Sequence, residues 1–97
     1  MIWNNSKMTV LFPTKHQSYE WPCIVGITDD EISIEYEDDD GPGKYIGKND
    51  GSGHFKLCTP DQTTGQATLH QSPGSQMLEG SWVESGEDGM WRIDLAS

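Results

Sequence analysis

The groups in this chain that could do chemistry are three histidines, two cysteines and sixteen carboxylates, and they are unevenly spread. Eight of the sixteen carboxylates fall between Asp29 and Asp40, ending in Asp38-Asp39-Asp40 just before Gly41. A flexible loop offering several oxygens is what a hard cation such as Ca²⁺ requires, and Asn49-Asp50 before Gly51 is a smaller version of the same idea. Neither loop has EF-hand spacing or its distal glutamate, so both are expected to be solvated turns. His54, Cys58 and His70, with Cys23 or His16 as a fourth group, have the softness of zinc ligands. They lack the close pairs, CxxC or HxxxH, that structural zinc sites bring, and no metal is assigned. Catalysis by Cys23 or Cys58 would need a histidine within hydrogen-bond reach and a third group to orient it, and the spacing supplies neither. Glu79 and Glu84 could share acid–base work only if burial raised one pKa. With no motif for a reaction or a cofactor, the expectation is a non-enzymatic protein that uses no cofactor.

The elements that would position these groups read as strands. From Gln76 to Leu95 the chain runs QMLEGSWVESGEDGMWRIDL. Leu78, Gly80 and Trp82 share one face of a strand, Trp91, Ile93 and Leu95 share one face of the next, and Glu84 to Gly89 between them is rich in turn formers. Both tryptophans are in phase with aliphatic neighbours and are expected in the core, where they can meet across the ladder. Gly80 marks a place where a sheet curls or leaves room for a large ring. Upstream, Ile32, Ile34 and Tyr36 alternate with Glu31, Ser33, Glu35 and Glu37, which gives one buried face and one acidic, wet face. Asp29-Asp30 separates this strand from Cys23–Thr28, and Asp38 to Gly43 is expected to turn into a strand at Lys44–Lys48. Further strands are expected at Met8–Phe12, His54–Cys58 and Gly65–Gln71. Thr14 to Pro22 lacks a period and reads as an aromatic-bearing loop, since Trp21 precedes a proline. Residues 1–7 read as a tail or an added edge strand of a single domain spanning 1–97.

About eight short strands without helical period or long crossover predict an all-β antiparallel meander, either a strongly bent sheet or a small barrel. Composition qualifies this picture. Leu, Ile, Val and Phe number 17 of 97 and the net charge is −10, both of which favour disorder. Four tryptophans and three tyrosines oppose it, because each buries on the order of 150–250 Å². The excess of acid over base excludes the clustered cations that a nucleic-acid backbone needs. No long apolar run or leader is visible, and two distant cysteines suit reduced thiols, so a cytoplasmic protein with no membrane association is expected.

The half from Gly47 to Leu95, with GSGHFKL, GQATLH, LEGSWVE and GMWRIDL, resembles short bacterial β proteins, including products of mobile integron gene cassettes. That resemblance implies a small cytosolic bacterial protein, often dimeric, and transfers no catalytic or binding residue. The Gly-Ser-Trp and Gly-x-Trp pieces are also similar to ligand-binding barrels such as the avidins and lipocalins.

The leading functional expectation is a binding or protein-interaction module whose acidic surface suits a basic protein partner. The alternatives are a small-molecule-binding β-barrel with Trp82, Trp91 and Tyr45 lining its mouth, and a small hydrolase-like enzyme using histidine and carboxylate groups. Ile2, Trp3, Tyr19 and Trp21, which lack phase with aliphatic neighbours, are the expected interface of a homodimer.

Overall fold

Alternation of apolar and polar residues places one row of side chains per strand on a common inner face, and eight such strands close on themselves. The computed structural model describes residues 1–97. The strands are β1 (Ile2–Phe12), β2 (Gln17–Ile27), β3 (Glu31–Asp38), β4 (Gly41–Lys48), β5 (His54–Cys58), β6 (Gly65–His70), β7 (Met77–Glu84) and β8 (Glu87–Asp94). Each pairs antiparallel with the next in sequence, and β1 also pairs with β8, so the meander is a closed barrel. The expected all-β meander of about eight strands is therefore what forms, in its barrel version. No helix is long and apolar enough to cross a membrane.

An eight-stranded barrel has an interior just wide enough for side chains to fill. Val25, Ile32, Ile34, Leu69, Leu78 and Ile93 are all at most 1% exposed and form the centre of that filling. Phe55, Leu57, Ala67 and Leu95 pack with them, as do Tyr45, Trp82 and Trp91. A chain poor in aliphatics thus completes its core with aromatics. Closure at the narrowest bend depends on Gly80. A Cβ there would lie 1.8 Å from the Thr68 carbonyl oxygen, so only glycine lets β7 fold this tightly against β6. Pairing between the two strands skips the bend, running from Ala67↔Trp82 to His70↔Glu79. The freed groups find other partners: the Ser81 N–H donates to Thr68 Oγ1 at 3.2 Å, and Trp91 Nε1 donates to the Thr68 carbonyl at 3.0 Å.

The N-terminal third departs in part from expectation. Residues 1–7, expected to be a tail or an added edge strand, belong mostly to β1, whose first residues ladder with β2 and whose ladder with β8 begins at Lys7. A bulge lies between the pairs Trp3↔Val25 and Ser6↔Cys23. One extra residue there moves the inner face from odd to even positions, and this hides the strand's period from the sequence. Ser6, 2% exposed, secures the bulge: its Oγ donates to the Trp3 carbonyl and accepts from the Ala96 N–H at 3.1 Å. Thr14 to Pro22, expected to be a loop, is a short 3₁₀ turn at Pro13–Lys15 followed by the first half of β2. Pro22 does not break that strand, because the β2–β3 ladder stops at Cys23↔Tyr36 and no donor toward β3 is needed at residue 22. Turns expected at Asp38–Gly43 and Glu84–Gly89 are tighter than their composition suggests, with only Asp39-Asp40 and Ser85-Gly86 between strands.

Candidate functional site

The end of the ladder between β2 and β3 creates a concavity framed by aromatic side chains. Beyond Cys23↔Tyr36 these two strands part, while β1–β2 runs on to Phe12↔Gln17 and β3–β4 runs on to Asp38↔Gly41. Two hairpin tips therefore diverge around a gap, and the β7–β8 turn forms a third side. The resulting cavity has a volume of about 350 Å³.

Its walls come from inward positions of six strands. β1 supplies Met8, Val10 and Phe12, β2 supplies Tyr19 and Trp21, and β3 supplies Tyr36 and Asp38. From the opposite side come Tyr45, Trp82, Trp91 and Glu84, with Asp39, Asp40, Ser85 and Glu87 around the rim. The rings contact one another. Phe12 meets Trp82 edge-on with centroids 5.1 Å apart and Tyr19 edge-on at 5.6 Å, Tyr19 stacks on Trp21 at 6.2 Å, and Tyr45 leans on Trp91 at 5.3 Å. Such offset and edge-to-face geometries are the favoured ones for rings carrying a quadrupole.

The polar tips of these rings are largely used by the scaffold. Trp82 Nε1 donates to the Met90 carbonyl at 3.1 Å and Trp91 Nε1 to the Thr68 carbonyl at 3.0 Å. Tyr19 Oη donates to Gln17 Oε1 at 3.0 Å, and Tyr45 Oη donates to Glu84 Oε2 at 2.5 Å. Gly65 makes the last bond reachable, since a Cβ at that position would lie 2.3 Å from the Tyr45 hydroxyl. What remains facing the cavity is mostly π face and carboxylate oxygen. The electrostatics follow. Burial pushes the Tyr36 hydroxyl up to about 12, with the negative charges of Glu84 and Asp38 adding to the shift. Tyr45 is pushed up further, first by burial, then by its bond to Glu84 and by that group's charge.

Of the residues expected to line a ligand pocket, Tyr45, Trp82 and Trp91 are brought together here. The four expected at a homodimer interface are spread along the β1–β2 hairpin. Tyr19 and Trp21 line the mouth, whereas Ile2 lies eight strand residues from the Tyr19 partner Val10, roughly 25 Å away. Trp3 and Trp21 pack against the core, so their lack of phase reflects the bulge and Pro22, not exposure.

The candidate chemical groups are dispersed. His54 and His70 are cross-strand neighbours on the outer surface, with their Nδ1 atoms 2.5 Å apart. Cys58, four residues along the same strand, pairs with Gln66 instead, and Cys23 points into the barrel. No three of the histidines, cysteines and carboxylates converge as metal ligands do. Burial pushes the Cys23 thiol up to about 12, which keeps it protonated and inert. Glu79 and Glu84 lie on opposite faces of β7, as an odd separation along a strand requires, and cannot act as a pair. Asp38 and Asn49 serve their own turns, accepting from the Asp40 and Gly51 N–H groups at 2.9 Å.

Sequence reasoning missed Phe12, Tyr36, Asp38 and Glu84 as members of the site. Two signals for them exist: the alternation Ile32, Ile34, Tyr36 continues to Asp38, and Leu78, Gly80, Trp82 continues to Glu84, so core faces run out into acids at one end of the barrel. Comparison with known protein families, curated proteins and solved structures returns no match for this chain.

Proposed function

We propose that this protein is a non-enzymatic binding barrel whose mouth takes a small organic molecule. One observation carries this reading. The gap between β2 and β3 opens onto a cavity of about 350 Å³ walled by aromatic rings, within the size range of ligand pockets. The acid-rich span from Asp29 to Asp40 suggests a basic protein partner on charge alone, but the cavity favours a ligand small enough to enter between the hairpin tips. A hydrolase reading receives less support, because the histidines lie outside the cavity and Cys23 is held as a thiol. The resemblance to ligand-binding barrels agrees with this proposal, and a bacterial cytosolic setting is the context that the cassette resemblance suggests.

A melting screen against small organic molecules, followed by tryptophan emission, tests the reading. A ligand at 100 times its Kd adds about 2.7 kcal/mol of stability. It should also shift emission, because three of the four tryptophans line the mouth. A broad library that moves neither signal removes the proposal, and turnover of a generic ester, phosphate or amide replaces it with an enzymatic one.

A further inference from the structure

We infer that the mouth selects organic ammonium ions, a small apolar skeleton carrying one protonated amine, over neutral molecules of the same size. The inference rests on the mouth being a ligand site and names the chemical class that it takes.

Three observations point the same way. First, the hydrogen-bond donors of Trp82, Trp91, Tyr19 and Tyr45 are turned to protein acceptors, so among the lining rings only Trp21 and Tyr36 keep a donor without a protein acceptor, and the walls are mainly aromatic surface. A cation within about 6 Å of a ring centroid is attracted by the ring's electron-rich face. Second, five carboxylates line the cavity and none of the six lysines and arginines does. Glu84 and Asp38 are the half-buried members of this set and continue core rows, and of Glu84 only Oε2 is engaged, by Tyr45. Its other oxygen can accept from an ammonium N–H. Third, the chain's own ammonium already adopts the arrangement at the rim. Lys15 Nζ sits 5.4 Å from the centroid of the Phe12 ring and 3.0 Å from Glu87 Oε2. An aromatic face and a carboxylate together hold a cation there, and the deeper mouth repeats that pairing with Tyr36, Trp82 and Glu84 without a cation of its own.

The test compares 2-phenylethylamine, protonated at neutral pH, with 2-phenylethanol, a neutral molecule of matching size, by calorimetric titration of the full chain. The amine should bind at least tenfold more tightly, and added salt should narrow the difference. Glu84→Gln keeps an acceptor for Tyr45 and should weaken the amine about tenfold while leaving the alcohol unchanged. Asp38→Asn, which likewise keeps its turn acceptor, is the second variant should the first melt early. Equal affinity for amine and alcohol overturns the preference for charge and leaves the pocket standing. If neither compound binds, the inference falls, while the pocket reading is decided by the broad melting screen. Amine binding that neither variant alters places the ammonium elsewhere and also overturns the inference.

Discussion

The two ends of the barrel are built from one repeating pattern yet behave as different materials. At the packed end, Val25, Ile32, Ile34, Leu69, Leu78 and Ile93 interdigitate, and the connecting segments bond to one another through the backbone. The Thr28 N–H donates to Glu31, Asn49 to Asp30, Gln71 to Gly53 and Leu95 to Gln76, at 2.8–2.9 Å. At the mouth the same inner rows end in rings and acids, and the hairpin tips are tied across by two side-chain contacts, Lys15 to Glu87 and Tyr45 to Glu84. Aliphatic packing is thus concentrated at one end, while the other is walled by rings and acids. Binding surfaces are generally drawn from the less stable part of a fold, and here the division follows where the aliphatic residues run out.

Substitutions that respect this division should scale with it. Trp91 lies at the boundary, 3% exposed and bonded to the Thr68 carbonyl at the bend, so Trp91→Ala should cost about 3–5 kcal/mol. That approaches the whole stability of a domain this size, and calorimetry should find the variant largely unfolded. Leu69→Ala, wholly within the packed end, should cost about 3 kcal/mol in urea unfolding with an unchanged m-value. A loss below about 1 kcal/mol there would erase the distinction between the ends.

Gly80→Ala sets a Cβ against backbone, not a movable side chain, and should cost at least about 2 kcal/mol through strain at the bend. Wild-type-like denaturation of that variant would show that the barrel closes without a special bend.

Alkaline pH should destabilise the barrel through Tyr36 at the mouth and Cys23 in the core. The Tyr36 hydroxyl is held at about 12 against an ordinary 10.0, and Cys23 at about 12 against 9.0, so the folded chain keeps protons that the unfolded chain releases. The stability gained is complete below pH 9 and is lost as pH rises toward 12. The melting temperature should fall across that window, and Tyr36→Phe should make the fall shallower. The smallest effect is expected from Phe12→Ala. This half-buried ring at the rim should contribute about 1 kcal/mol or less, while its loss weakens ligand binding measured by tryptophan emission. An effect as large as that of Leu69→Ala would mean that the mouth is core after all.

The legible parts of the fold were those where a single strand carried its own period. Ile32-Ser33-Ile34-Glu35-Tyr36 declares both its inner and outer faces without help from a partner. Trp82 and Trp91 could be placed together because each shares phase with aliphatic neighbours, whereas Tyr45 stands in phase only with Gly43 and Gly47. The rest of the site depends on departures from period: a bulge that shifts β1 by one residue, and a proline tolerated because one neighbouring ladder has already ended. Both are decided by the partner strand, so they leave no mark within a short window of sequence. Acids at the ends of inward rows, Asp38 and Glu84, are equally ambiguous, since a carboxylate after a core run resembles the start of a turn.

The ladder between β1 and β8 has a consequence for how the molecule is made. It joins residues as distant as Lys7 and Asp94, so the ring closes only after seven further strands follow the first out of the ribosome. Contacts this remote are slow to form, and barrels dominated by them fold in milliseconds to seconds. Throughout that interval β1 presents an unpaired edge, to which a strand from another copy can add as readily as β8 can. In the finished ring Lys7 to Leu11 are paired on both sides, so strand addition along that stretch is open only to the growing chain.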